Sequence, residues 1–67
     1  MSVILEQLIQ RRKELHISQK EVARRMKTGQ TTIARIETGA RSPKLETVER
    51  FAQALGCDIV LKRNGND

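Results

Sequence analysis

The 67-residue chain has no tryptophan, no tyrosine and one phenylalanine, Phe51. Its core must therefore be assembled from isoleucine, leucine, valine, methionine and alanine. A single cysteine, Cys57, excludes an internal disulfide. A single histidine, His16, with no second cysteine to join it, excludes a Cys/His metal site, and no cofactor is expected. No apolar run approaches the roughly 18 residues of a membrane span, and no secretory leader is visible. A soluble, cytoplasmic protein with no membrane partner is expected. No nucleophile, base and orienting acid stand in a catalytic arrangement, so enzymatic activity is not expected. Internal repeats and low-complexity runs are also missing.

A chain of this size buries only about 60% of its unfolded surface, near the lower limit for an independent domain. Small domains compensate with a disulfide, a metal or a partner subunit. With the first two excluded, a subunit partner is expected. The charge is concentrated in the middle of the chain. Residues 11–44 hold ten Lys/Arg against three acids, Glu14, Glu21 and Glu37, a net of +7 in a chain whose total is +5. A cationic segment of this kind is an electrostatic footprint for a polyanion.

Helical periodicity runs through most of the sequence. Ile4, Leu5, Leu8, Ile9, Arg12 and Leu15 share one face of a first helix over Ser2–Leu15, apolar except for Arg12. Its last turn carries Arg11, Arg12 and Lys13, suited to the negative end of the helix dipole. Ser18-Gln19-Lys20-Glu21 has the form of a capping box, with the serine hydroxyl and Glu21 each satisfying an amide at the start of a second helix. Val22, Ala23 and Met26 form that helix's buried edge. Lys27-Thr28-Gly29 leaves room only for a tight corner. A third helix spans Gln30–Thr38, with Ile33 and Ile36 inward and Gly39 as its stop. Pro43 stands at or just before a fourth helix over Lys44–Leu55, with Leu45, Val48, Phe51, Ala52 and Leu55 inward and Gly56 ending it. From Cys57 the period changes to two: Cys57, Ile59 and Leu61 alternate with Asp58, Val60 and Lys62, which predicts a strand.

Two short helices joined by a tight corner, the second small and polar, have the form of a helix-turn-helix. A B-DNA major groove about 12 Å wide admits one such helix, whose first residues meet the base edges. The third helix opens Gln30-Thr31-Thr32 and carries Arg35 on the same outward side. Glutamine pairs with adenine, arginine forks onto guanine, and threonine offers a hydroxyl and a methyl for thymine.

The run "SQKEVARRMKTGQTTIARIETGARSPKLETVERFAQALG" resembles the phage-repressor-like, Xre/Cro-type helix-turn-helix family. Gln19, Glu21, Ala23, Ile33-x-x-Ile36-Glu37-x-Gly39 and Pro43…Leu45…Val48…Ala52…Leu55-Gly56 carry the likeness, which covers roughly residues 5–56. The resemblance implies that Gln30, Thr31 and Arg35 face bases, with Thr32 at the groove edge. It implies phosphate contacts from Ser18 and Gln19 at the head of the second helix and from Arg41 and Lys44 in the following loop. It also implies a structural ion pair between Arg12 and Glu37. Arg24 and Arg25 read as solvated or phosphate-adjacent, His16 as a surface loop residue and Cys57 as a small buried apolar group. The family favours glycine where Lys27 stands, a left-handed position that costs lysine about 1 kcal/mol. Gly29, two residues later, is placed to reshape the turn.

The expected fold is all-α: a four-helix repressor-like DNA-binding domain over residues 1–56, a dimerisation strand over 57–63 and a frayed tail over 64–67. A strand needs a backbone partner, and no other segment has a strand pattern. The expected partner is the same strand of a second subunit, with Cys57, Ile59 and Leu61 closing over both domains. The tail also makes the chain similar to the short HigA- and HipB-kind antitoxins of type II toxin–antitoxin pairs, which repress their own operons as dimers. The resemblance thus implies a sequence-specific repressor with a palindromic double-stranded operator, a second copy of itself and a cognate toxin as partners. Two alternatives stand beside it: a phage- or plasmid-type regulator without a toxin, and a protein-interaction adaptor that does not bind DNA.

Overall fold

The computed structural model describes residues 3–60. Four helices follow in order: α1 (Val3–Glu14), α2 (Gln19–Met26), α3 (Gln30–Thr38) and α4 (Leu45–Ala54). Leu5 and Leu8 of α1, Val22, Ala23 and Met26 of α2, Ile33 and Ile36 of α3, and Phe51, Ala52 and the adjoining Leu55 of α4 close into one apolar core. These residues recur at spacings of three and four, so each helix turns a single stripe inward. Phe51, Ile33, Ile36 and Val22 fill its centre. α2 lies against both α3 and α4, and α1 closes over α3 and α4 from the other side.

The helices end by a recurring device. After α1, the amides of His16 and Ile17 donate to the carbonyls of Lys13 and Arg12, both at 3.1 Å. After α2, Lys27 and Thr28 donate to Arg24 and Ala23 at 3.2 and 2.9 Å, and after α4, Gly56 and Cys57 donate to Gln53 and Ala52, both at 2.9 Å. Each is the paired closure that satisfies a helix's last carbonyls when the next residue turns left-handed. His16 (φ 57°), Lys27 (φ 56°) and Gly56 (φ 72°) supply that conformation. Lys27 therefore takes the backbone shape expected of glycine, and the corner between α2 and α3 keeps its form. Gly29 does not take over that role: it sits at φ −86° as the residue preceding α3. Replacing Lys27 with glycine is expected to stabilise the protein by about 1 kcal/mol, read as a higher urea midpoint with an unchanged slope. An unmoved or lowered midpoint would mean that the lysine is not strained.

α2 and α4 are also tied end to end. Arg25 of α2 donates through Nη1 to the carbonyl of Ala54, the last residue of α4, at 2.7 Å. Arg50 of α4 donates through Nη2 to the carbonyl of Met26, the last residue of α2. Each helix thus lends a cation to the negative end of the other's dipole.

Three expectations require correction. Leu45 is not inward: it is 65% exposed, because α4 begins there and its first turn projects past the core. Glu21 does not complete a capping box, because Arg24 and Arg25 engage its carboxylate. The serine half of the motif is present, with Ser18 Oγ accepting from the Glu21 amide at 3.0 Å. The strand does not form among the described residues. Residues 57–60 follow α4 as irregular chain, paired with no other segment. Their alternation has another use: Cys57 and Ile59 are half-buried against the core, while Asp58 and Val60 face outward. The reason is local. A strand needs a neighbouring backbone, whereas two apolar side chains can settle on a helical core without one. Leu61, the rest of the expected strand and the expected tail over 64–67 lie outside the described residues.

Candidate nucleic-acid interface

α3 is anchored by Ile33 and Ile36, which are almost fully buried. At 100° per residue this inward stripe leaves Gln30, Thr31 and Arg35 on an outward arc of about 140°, and all three are exposed. Ala34 falls inside the same arc, and its single methyl keeps the helix surface low between Gln30 and Arg35. Its size is a signal that sequence reasoning could have used. Thr32 is half-buried and stands off this face. No side chain caps the helix at Gly29 and no acid lies in its first turn. The open amides and the positive end of the dipole favour an approaching anion.

The acid of α3, Glu37, is turned inward. Its carboxylate receives Arg12 Nε at 2.6 Å and Nη2 at 2.8 Å, a two-pronged pair with side chains only 7% and 11% exposed. Arg12 Nη1 also donates to the Ile17 carbonyl at 2.8 Å. Gln19 Nε2 donates to Glu37 Oε1 at 3.1 Å. Sequence reasoning missed this last contact, since 18 residues separate the two partners. Arg12, Glu37 and Gln19 thus join the end of α1, the end of α3 and the start of α2. The negative charge nearest the outward arc is neutralised from within.

The residues expected at phosphates fall into two groups. Ser18 uses its oxygen as acceptor for the α2 cap and keeps its hydroxyl hydrogen available as a donor. Gln19 commits one amide hydrogen to Glu37. Arg41 and Lys44 are exposed in the loop between α3 and α4. Arg24 and Arg25 share the Glu21 carboxylate at 2.6–2.9 Å. Arg25 is further committed to Ala54, while the Arg24 side chain remains 72% exposed.

Hydrogen bonds from Arg24 and then Arg25 lower the pKa of Glu21 from 4.5 to about 2. Because the folded value is depressed, the contribution to stability is present above pH 4.5 and is lost as pH falls towards 2. Carbon-13 NMR titration of Glu21 is expected to give a midpoint near 2, moving upward in high salt as these exposed charges are screened. A midpoint near 4.5 would show that the arginines do not hold the carboxylate in solution.

Among the described residues no helix is long and apolar enough to cross a membrane. A helix-turn-helix family model matches residues 8–62. Antitoxin HigA1 of Mycobacterium tuberculosis, found in two strains, is 42% identical over 58 residues, covering 87% of this chain and 39% of the relative. The cryptic phage CTXphi transcriptional repressor RstR of Vibrio cholerae is 44% identical over 48 residues, covering 72% of this chain and 43% of the relative. The chain therefore spans less than half the length of these curated relatives. No solved structure matches it. With its corner, its anchored third helix and a family match over most of its length, the chain belongs to the helix-turn-helix family.

Proposed function

We propose that this protein is a dimeric, sequence-specific repressor that acts as the antitoxin of a toxin–antitoxin pair and represses its own operon. The observation that carries the DNA-reading part is the exposed Gln30, Thr31 and Arg35 on one arc of α3. Ser18, Arg41 and Lys44 flank that arc as phosphate contacts, and Gln19 contributes one through its remaining amide hydrogen. Likeness to the antitoxin HigA1 supports the toxin partner. Likeness to the phage repressor RstR favours a second reading, a regulator without a toxin.

The dimer has its own support. Ile4, Leu8, Cys57, Ile59 and Val60 line a groove that also holds Arg11 and Asp58. Val60 is 76% exposed there. An apolar strip carrying both signs of charge is self-complementary across a twofold axis. Two copies would set two recognition helices about 34 Å apart, one turn of a palindromic operator.

Binding to the DNA upstream of its own gene, followed over a salt series, tests the DNA reading. Affinity for random duplex is expected to fall linearly on a double-logarithmic plot, with tighter and more salt-tolerant binding to the operator. A protein that binds neither DNA would be read as an adaptor. Sedimentation equilibrium checks the dimer, and a monomer at micromolar concentration would remove it. Growth arrest by the neighbouring reading frame, relieved by this chain, separates antitoxin from toxin-free regulator.

A further inference from the structure

The corner between α2 and α3 has little packed behind it. Met26 and Ile33 are buried on either side, but residues 27–31 are all exposed and Thr32 is half-buried. A Cβ added at Gly29 would meet nothing within 4 Å, and no side chain caps α3 there. A bond from a distant helix does reach the edge of this stretch. Arg50 of α4 donates through Nη2 to the carbonyl of Met26, the last residue before the corner. We propose that Arg50 is a positioning residue for base reading: by holding the last carbonyl of α2 against α4, it fixes the pose in which α3 presents Gln30 and Thr31. This role rests on the DNA-binding reading of α3 and adds to it a residue that touches no DNA.

The hydrogen bonds of the corner support the role. Lys27 and Thr28 donate to the carbonyls of Arg24 and Ala23, so neither amide is left for Met26. Its carbonyl is one of those that a helix end leaves without an amide partner. A guanidinium is a strong donor for it, aided by the negative end of the α2 dipole.

The placement supports it too. The far end of α3 is held by the buried pair of Arg12 and Glu37. The near end, with Gln30 and Thr31, relies on Ile33 and on a corner of three exposed residues. With the Met26 carbonyl released, the corner is free to rotate, and Gln30, four residues on, moves with it. Hydrogen bonds to base edges weaken steeply with misalignment, whereas attraction to phosphates follows charge and tolerates such a shift. Arg50 therefore bears on what α3 reads more than on whether the chain holds DNA. Arg25 makes the mirror contact with Ala54, but α4 carries no base-reading residue, so that bond serves stability alone.

Arg50→Gln tests this, with Val48→Ala, which trims a core neighbour on the same helix, as the control for lost stability. Both are measured where they remain folded. Arg50→Gln is expected to lower the ratio of operator to random-duplex affinity about tenfold, the discrimination carried by one well-placed base contact. Its affinity for random duplex and the salt slope should not change. Val48→Ala should lower Tm and keep the ratio. Without DNA, amide hydrogen exchange in Arg50→Gln should quicken at Thr28, Thr32 and Ile33, whose bonds close the corner and open α3, and not at Ile36 and Glu37. With wild-type preference for the operator intact, an unchanged ratio, an equal fall in Val48→Ala, or unchanged exchange at the three amides overturns the positioning role and leaves the DNA reading standing. Equal losses on both DNAs with a flatter salt slope would make Arg50 a phosphate contact and overturn it as well. A wild type that prefers no sequence overturns the base reading, and the part of Arg50 in it, whatever the exchange rates show.

Discussion

Arg12→Ala is expected to destabilise the protein by roughly 3 kcal/mol or more, the usual cost of removing one partner from a buried pair. In a domain of this size that is a fall of roughly 12–24 °C in Tm. The magnitude follows from the surroundings. Arg12 satisfies both carboxylate oxygens of Glu37 and the Ile17 carbonyl, and very little of either side chain reaches water. Without the guanidinium, Glu37 keeps only Gln19 as a partner. Replacing both charged residues together, Arg12→Met with Glu37→Met, is expected to cost less than Arg12→Ala alone, since no stranded charge remains. Under conditions where the variant is still folded, its DNA affinity should stay close to that of the wild type. Calorimetry beside DNA titration separates the two roles. An unchanged Tm with a fall in affinity would make Arg12 a phosphate contact instead.

On the operator, Gln30→Ala, Thr31→Ala and Arg35→Ala are each expected to lose about 1–3 kcal/mol of binding, with little change on random duplex. All three stand on the exposed arc fixed by the burial of Ile33 and Ile36. Arg35 should show the larger effect if it forks onto a guanine, since two hydrogen bonds are lost together. Equal losses on both DNAs for all three variants would show that the arc touches backbone and not bases. Their thermal stability should hardly move, because none of the three contributes to the core. The contrast with Arg12 is the useful one: one position governs whether α3 is held, the other three what α3 reads.

Much of this architecture is local, and local features are legible in a sequence. The stretch Gln30–Thr38 carries Ile33 and Ile36 three apart, so its inward stripe and its outward arc follow from helix geometry alone. Ser18 announces the start of α2 because its hydroxyl reaches an amide three residues ahead. Gly39 and Gly56 end their helices because both adopt the positive φ that glycine accepts without strain. The net charge of the middle segment points to a polyanion by composition alone, because charge needs no fold to be counted.

Tertiary docking decided what remained. Leu45 has the periodicity of a core residue, but its burial depended on whether another element reached the first turn of α4. Cys57 and Ile59 alternate as a strand does, yet alternation only sorts side chains to two sides. The described segment settles on helices, without a neighbouring backbone. Gln19 is expected at a phosphate from the sequence alone, and the approach of α3 to α2 gave one of its amide hydrogens a carboxylate at 3.1 Å as well. Arg25 and Arg50 look like solvated cations until the end of each helix is brought beside the other. Periodicity records which way a side chain leaves its own helix; what it meets there is set by contacts between residues far apart in the chain.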